Sequence, residues 1–74
     1  MRTVDALGTY CPVPLQLLDR ALARAGEDEV VALLADDPLI EVDLPAWCHE
    51  TGHRLMALRR DGDEWQGLVR RRRR

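Results

Sequence analysis

The stretch TYCPVPLQLLDRALARAG, residues 9–26, contains the switch from strand to helix on which the predicted fold depends. From Pro12 onward, apolar side chains recur at helical spacing, with polar and charged residues between them. The apolar positions of this face are Pro14, Leu17, Leu18, Ala21, Leu22 and Ala25. Gly26 is a natural C-terminal stop for a helix. The pattern therefore predicts an amphipathic helix that begins at Pro12 and ends at Gly26.

Four other segments are predicted as strands. Residues 2–6 form the first, and the continuous apolar run at residues 30–35 is too short for a typical helix and indicates a buried strand. Residues 54–60 and 64–70 lie on either side of Asp61-Gly62, which is a strong signal for a hairpin turn. The last two strands should therefore be antiparallel neighbours.

A second helix is predicted between the second and third strands. Asp37-Pro38 has the pattern of an N-cap followed by proline at the first helical position, and Gly52 ends the helix. One face carries Ile40, Leu44, Trp47, Cys48 and Thr51. Because Pro45 lies inside this segment, we expect a kink or a restart there, with Asp43 as a second cap.

The element order β-α-β-α-β-β predicts an α+β fold. A crossover between the first two strands should be right-handed and make them parallel, whereas the final hairpin is antiparallel. The four-stranded sheet is therefore expected to be mixed. Two amphipathic helices and one small sheet predict a two-layer α/β sandwich with both helices on one face.

The 74 residues predict one small domain with an uneven distribution of charge. Residues 1–69 hold 6 arginines and 13 acidic residues, a charge of −7, and five arginines at residues 70–74 bring the chain to −2. An acidic body is a poor surface for nucleic acid, so no DNA binding is expected. The first residues have no apolar signal-peptide core, and no run can span a membrane. We therefore expect a cytoplasmic monomer with reduced thiols.

Cys11 is the first candidate functional residue because two prolines bracket it. If the helix begins at Pro12, Cys11 is its N-cap, and Pro12 and Pro14 remove only N–H groups that the first turn does not use. The thiol would then lie at the positive end of the helix dipole, which favours the thiolate. A cysteine that is merely a poor N-cap would show the same local pattern, and the local chemistry leaves both interpretations open.

The segment DALGTYCPVP, residues 5–14, is similar to the D-x-x-G-x-x-C-P-x-P signature of the TusA/SirA-like sulfur carriers. The matching residues are Asp5, Gly8, Cys11, Pro12 and Pro14. LADDP, residues 34–38, resembles the A-D-D-P turn of the family, and DLPAWC, residues 43–48, resembles its D-I-P-x-F-C segment. The similarity predicts one TusA-like domain at residues 1–69, followed by a disordered basic tail at residues 70–74.

The resemblance implies a sulfur carrier rather than a free-standing enzyme. Cys11 would accept sulfane sulfur as a persulfide and relay it to an acceptor protein or a thiolation pathway, and Pro12, Pro14, Gly8 and Asp5 would support the site. The implied partners are a cysteine desulfurase or rhodanese-like donor, an acceptor protein and the tRNA-thiolation machinery. No metal or organic cofactor is implied. The implied fold resembles the C-terminal domain of translation initiation factor three.

Two other functions stay open at this point. Cys48, beside Trp47 on the apolar face, is predicted as a buried structural thiol, but it could instead be a resolving cysteine that pairs with Cys11 in a redox module. The arginine tail is predicted as a solvated end, but it could serve a regulatory module that binds RNA or protein without covalent chemistry. Val13 occupies a position that is glutamate in the tRNA-thiolating relatives, which leaves the pathway open.

The remaining polar motifs have simpler interpretations. HETGH, residues 49–53, fits the His-Glu-x-x-His zinc pattern, with Glu50 in the position of the base. Gly52 breaks the helix before His53 and no third histidine follows, so surface or capping roles are predicted for His49 and His53. Asp36-Asp37 is predicted as a turn and cap. Trp47 and Trp65 are predicted as core or sheet-face residues rather than nucleic-acid stacking residues.

Overall fold

The computed structural model describes residues 2–72, and its element order confirms the predicted β-α-β-α-β-β fold. The elements are β1 (Arg2–Asp5), α1 (Val13–Arg24), β2 (Val30–Ala35), α2 (Ile40–Thr51), β3 (Arg54–Asp61) and β4 (Glu64–Arg70). Neither helix in this part of the chain has the length and apolar character that crossing a bilayer requires.

The sheet is mixed, as predicted, and its spatial order is β1-β2-β4-β3. β1 runs parallel to β2, and β4 runs antiparallel to both β2 and β3. Two pairs define the register at the centre of the sheet, because Val31 faces Val69 and Leu33 faces Gly67 across β2 and β4. The parallel pair matters for function because the carboxyl ends of β1 and β2 meet at one edge of the sheet.

The core lies between the sheet and the two helices. In β2, Val31, Leu33 and Ala35 are buried and alternate with partly exposed residues. The helices complete the core with Leu18, Leu22, Ile40, Leu44 and Cys48. Helices therefore cover one face of β2, whereas its continuous apolar run is typical of a strand buried on both faces.

Gly67 permits the close packing of α2 on the sheet. A Cβ atom at this position would lie 2.7 Å from Leu44 Cδ2 and 3.8 Å from Leu58 Cδ1. The first distance is shorter than carbon atoms tolerate, and Leu44 is fully buried with little room to move. The absence of a side chain at this position of β4 therefore allows α2 to pack closely on the sheet.

The ends of α1 differ from the prediction. The helix begins at Val13 with Pro12 as N-cap, so Cys11 is not the N-cap and lies one residue further out. It ends at Arg24 with Ala25 as an extended C-cap, two residues before Gly26. The Gly26 N–H instead donates to Glu29 Oε1 at 2.9 Å, because the turn into β2 supplies a carboxylate partner.

The predicted start and restart of α2 are also wrong. Leu39 is the N-cap, and the helix is continuous from Ile40 through Pro45 to Thr51. Proline removes the hydrogen bond to the carbonyl four residues earlier and crowds that carbonyl, and the buried packing of Leu44 and Cys48 on either side offsets this cost. The predicted end is confirmed, since Gly52 closes the helix with a left-handed φ of 85°.

The predicted boundary of a disordered tail at residue 70 is wrong for the described residues. β4 includes Arg70, and the Arg71 N–H donates to the Glu29 carbonyl at 2.9 Å. The Asp28 N–H donates in return to the Arg71 carbonyl at 3.1 Å. Backbone pairing orders this segment whatever its side chains are, which charge composition does not reveal. Residues 73 and 74 lie outside the described residues.

Candidate functional site around Cys11

Cys11 lies in the exposed loop that leads from β1 into α1, and its thiol is free and exposed. The loop is folded back on itself near its start. The Leu7 N–H donates to Asp5 Oδ1 at 3.0 Å, and the Thr9 hydroxyl donates to the Ala6 carbonyl at 2.7 Å. These short-range bonds give the loop a defined shape ahead of the cysteine.

Two carboxylates that follow β2 hold the same loop from the side. The Gly8 N–H donates to Asp36 Oδ1 at 3.0 Å, and the Cys11 N–H donates to Asp37 Oδ2 at 2.8 Å. Asp37 also accepts from the Leu39 N–H at 3.0 Å through its other oxygen, and only 3% of its surface is exposed. A buried carboxylate thus joins the cysteine backbone to the start of α2.

Sequence reasoning missed this role of Asp36 and Asp37. Both were predicted as turn and cap residues, and Asp37 does form a turn with Leu39. The available signal was topological, because parallel β1 and β2 bring the loops at their carboxyl ends together. An acidic pair after the second strand should therefore have been expected to meet the loop after the first.

Asp43 has the largest effect on the pKa of the Cys11 thiol. Its hydrogen bond with Cys11 is the main cause that raises the pKa of the thiol above its ordinary value. Partial desolvation and the negative charges of Asp43 and Asp37 act in the same direction. The prediction that the helix end favours the thiolate is therefore wrong in direction, because it considered only α1 and not the acidic residues of α2.

The predicted support residues all lie in or beside the loop. Gly8 has a φ of 79°, a left-handed conformation that favours glycine, and Pro14 is buried at the second position of α1. Pro12 caps the helix with a φ of −96°, and the Cys11–Pro12 peptide bond is cis. The structure thus brings these residues and Asp5 together with Cys11.

Cys48 lies in a different environment, on the buried face of α2. Only 2% of its surface is exposed, and burial raises the pKa of its thiol to about 11. It is a free thiol in the core, next to Leu44 one turn earlier. The predicted burial of Cys48 is confirmed.

The two histidines of HETGH lie at the far end of α2, and Gly52 ends the helix between them. The His53 ring stacks on Trp47 with ring centroids 5.6 Å apart, and His53 Nδ1 accepts from the Arg72 N–H at 3.2 Å. Within residues 2–72, no three potential ligands come together as a metal site. Trp47 and Trp65 pack against the core, as predicted.

The fold and the site define a class: a small α+β sandwich that holds one exposed cysteine at a strand-to-helix loop. The chain belongs to the TusA sulfurtransferase family, whose family model, described as sulfurtransferase TusA, matches residues 2–71. The resemblance drawn from the Cys-Pro-x-Pro segment is therefore confirmed.

Two relatives have similarity along nearly their whole length. The chain is 36% identical over 69 residues to a proposed sulfur carrier protein of Archaeoglobus fulgidus, which covers 93% of this chain and 94% of the relative. The crystal structure of a SirA-like protein from Desulfitobacterium hafniense superposes with a TM-score of 0.81 at 30% identity. That match covers 99% of this chain and 100% of the other, so the whole fold is shared.

Proposed function

We propose that the protein is a cytoplasmic sulfur carrier that accepts sulfane sulfur as a persulfide on Cys11 and relays it to an acceptor protein. The main supporting observation is the position of Cys11: an exposed thiol whose own backbone N–H is held by the buried carboxylate of Asp37. A carrier must present its sulfur to two different proteins. A fixed backbone under an open side chain suits that task.

In loading, the Cys11 sulfur attacks the outer sulfur of a donor persulfide. A new S–S bond forms on Cys11 while the S–S bond of the donor breaks, and the donor leaves as a thiolate that takes up a proton. The proton released by the Cys11 thiol is the one that the leaving donor thiolate takes up, so the step is balanced without any other proton acceptor. A cysteine desulfurase or a rhodanese-like protein is the donor class that supplies such a persulfide.

In delivery, an acceptor thiolate attacks the outer sulfur of the Cys11 persulfide. Cys11 leaves as a thiolate and recovers its proton, and the acceptor carries the persulfide. One sulfur atom moves between thiols in each step, so no oxidant, metal or organic cofactor enters the balance. The acceptor is a protein of a thiolation pathway, with the tRNA-thiolation machinery among the candidates.

The acidic residues around Cys11 lower the reactivity of the carrier when no sulfur is bound to it. Because Asp43 and Asp37 favour the thiol over the thiolate, the unloaded Cys11 is less reactive toward stray oxidants. The stiff first turn of α1, with Pro12 as cap and Pro14 buried beneath it, holds the loop in place between the two transfer steps.

Mass spectrometry after incubation with polysulfide, or with a cysteine desulfurase and cysteine, tests the proposal. We expect the mass of one sulfur atom on Cys11 and its transfer to an added thiol. Cys11→Ser should abolish loading, and Cys48→Ala should retain loading and transfer. Sulfur found on Cys48, or turnover that requires an internal bond between the two cysteines, would contradict the carrier function.

A further inference from the structure

Exposed apolar side chains are concentrated around the Cys11 loop. Six large hydrophobic side chains are exposed among residues 2–72, and only Met56 lies elsewhere, on β3. The other five, which we call the collar, are Leu7, Tyr10, Val13, Leu39 and Val42. Tyr10 is 70% exposed and Val42 is 67% exposed, so their apolar surface meets water in the isolated protein. Such a concentration indicates a surface that contacts another molecule.

The collar residues come from two segments that hydrogen bonds hold side by side. Asp36 and Asp37 bind the backbone of residues 8 and 11, and Asp37 also binds Leu39. Asp43, which follows Val42, contacts the Cys11 thiol. The first turn of α2 therefore lies against the cysteine loop. Exposed apolar side chains from both segments are therefore found close to the loop that carries the thiol.

A cleft of about 410 Å³ opens beside the collar, and its lining is acidic. It is lined by Tyr10, Asp36, Pro38, Glu41, Arg60, Asp63 and Trp65. Three carboxylates thus face a single cation, Arg60, which is already engaged. Its Nε donates to the Gly62 carbonyl at 2.8 Å, and its guanidinium lies over the Trp65 ring at 5.8 Å.

The charges at the thiol have the same sign as those in the cleft. Asp43 and Asp37 lie close enough to act on the Cys11 thiol, and Glu41 and Asp43 make the first turn of α2 acidic. A partner with negative charge would be repelled by this surface, whereas arginine or lysine would be attracted. RNA is therefore a poor occupant, because its phosphates would face these carboxylates.

We propose that the collar and the acidic cleft form the docking surface for a sulfur donor or acceptor protein whose reactive cysteine is flanked by arginine or lysine. This inference rests on the proposed carrier function. Tyr10, Leu39 and Val42 supply the apolar contact of a transient interface, and the cleft receives a cationic side chain of the partner. The carboxylates of Glu41 and Asp63 then select the partner by charge.

Docking of this kind has a chemical consequence at Cys11. Asp43 lies at the thiol and outside the cleft lining, so a second cation that flanks the partner's cysteine would meet it as that cysteine approaches Cys11. This cation would offset the charge that favours the thiol and offer the carboxylate another hydrogen-bond donor. The thiolate of Cys11 then forms more readily in the complex than in the free carrier. Asp43 and Asp37 would thus protect the free thiol, and the neighbouring Glu41 and Asp63 would select the partner that activates it.

Two short peptides serve as probes of charge selection. Both are acetylated and amidated; one has the sequence Leu-Arg-Cys-Arg-Leu and the other Leu-Glu-Cys-Glu-Leu. The carrier is loaded with polysulfide, and the rate of sulfur transfer to each peptide is followed by mass spectrometry at low salt. We expect the cationic peptide to be faster by on the order of tenfold, with a smaller ratio at high salt.

Charge-reversal variants separate selection by the carrier from the intrinsic reactivity of the peptide thiols. The double variant Glu41→Arg/Asp63→Arg should lose or invert the ratio of the two rates. The matched control Asp19→Arg/Glu27→Arg changes the net charge by the same amount on exposed residues outside the cleft lining and should keep the ratio. Ratios that are equal in the two double variants would overturn the docking surface.

The outcomes distinguish this inference from the function on which it rests. If Cys11 takes up no sulfur from polysulfide, the carrier function itself fails. If Cys11 loads normally but charge reversal at Glu41 and Asp63 leaves the ratio of the two transfer rates unchanged, only the docking surface fails. Ordinary RNA should not bind the loaded carrier at low salt, and such binding, measured without peptide, would overturn the inference. An oligonucleotide analogue with an uncharged backbone, which does not bind the cationic peptide, should leave sulfur transfer to that peptide unchanged.

Discussion

Cys11 and Cys48 have raised pKa values for different physical reasons. At Cys11 the hydrogen bond and the charge of Asp43 favour the thiol on an exposed loop, whereas at Cys48 burial alone raises the pKa to about 11. The effect of a charge on a pKa can be offset by a partner or removed by one substitution, whereas the effect of burial is lost only when the core opens. The reactivity of Cys11 can therefore be changed by a binding partner, whereas Cys48 is protected from reagents by the core.

The largest expected difference is in alkylation of the native protein. Iodoacetamide should modify Cys11 faster than Cys48 by roughly a thousandfold, since exposing a core thiol requires a local opening of about 4 kcal/mol. Rates are measured by mass spectrometry on Cys48→Ala and Cys11→Ser, which isolate each thiol. Comparable alkylation rates for the two variants in the folded state would contradict the conclusion that burial protects Cys48.

Removal of the buried carboxylate of Asp37 should have the next largest effect, a loss in the free energy of unfolding. Asp37→Ala leaves the N–H groups of Cys11 and Leu39 without their carboxylate, and we expect the free energy of unfolding to fall by about 3 kcal/mol. Asp36→Ala, which loses one bond to Gly8, should cost about 1 kcal/mol. Urea denaturation measures both. Equal losses would show that Asp37 does not anchor the cysteine loop.

A substitution in the core, Gly67→Ala, should lower stability and make Cys48 more accessible. In Gly67→Ala the new methyl group meets Leu44, and we expect a loss of about 2 kcal/mol in the free energy of unfolding. Alkylation of Cys48 should accelerate while that of Cys11 stays the same. Gly26→Ala is the control, since its Cβ atom would meet only Glu29 Oε1 at 3.6 Å. A stable Gly67→Ala protein would contradict the close packing of α2.

A smaller, opposite effect is expected at the exposed thiol. Asp43→Asn removes the carboxylate that favours the protonated form, so the pKa of Cys11 should fall. Alkylation of Cys11 should then accelerate at neutral pH, and the midpoint of its pH profile should move to lower pH, whereas Asp19→Asn should change neither. A midpoint that does not fall in Asp43→Asn would mean that Asp43 does not raise the pKa of this thiol.

The smallest effect is expected for Pro12→Ala, which loosens the loop without removing a charge. Alkylation of Cys11 should be unchanged or faster, because an added N–H can stabilise the sulfur anion. Sulfur transfer to a protein acceptor should slow, because a more mobile sulfur meets the acceptor less often in line. A parallel loss of both rates would show that Pro12 activates the thiol instead of positioning it.

Local signals in the sequence predicted most of the fold. Helical periodicity defined α1, and the turn signals at Gly52 and Asp61-Gly62 separated the last three elements. The starts of the two helices were displaced by one and two residues, because contacts such as Asp37 with Cys11 compete with local capping. The order of Arg70 and Arg71 was missed because it comes from backbone pairing, which does not depend on side-chain type.

The sequence by itself determined the element order, the identity of Cys11 as the reactive thiol candidate and the burial of Cys48. Each of these depends on residue spacing or on a motif that is contiguous in the chain. Only the tertiary structure decided which carboxylates surround Cys11, and with them the direction of its pKa. Asp37 and Asp43 lie 26 and 32 residues further along the chain. Electrostatic interactions and hydrogen bonds depend on distance in space, which the order of residues does not specify.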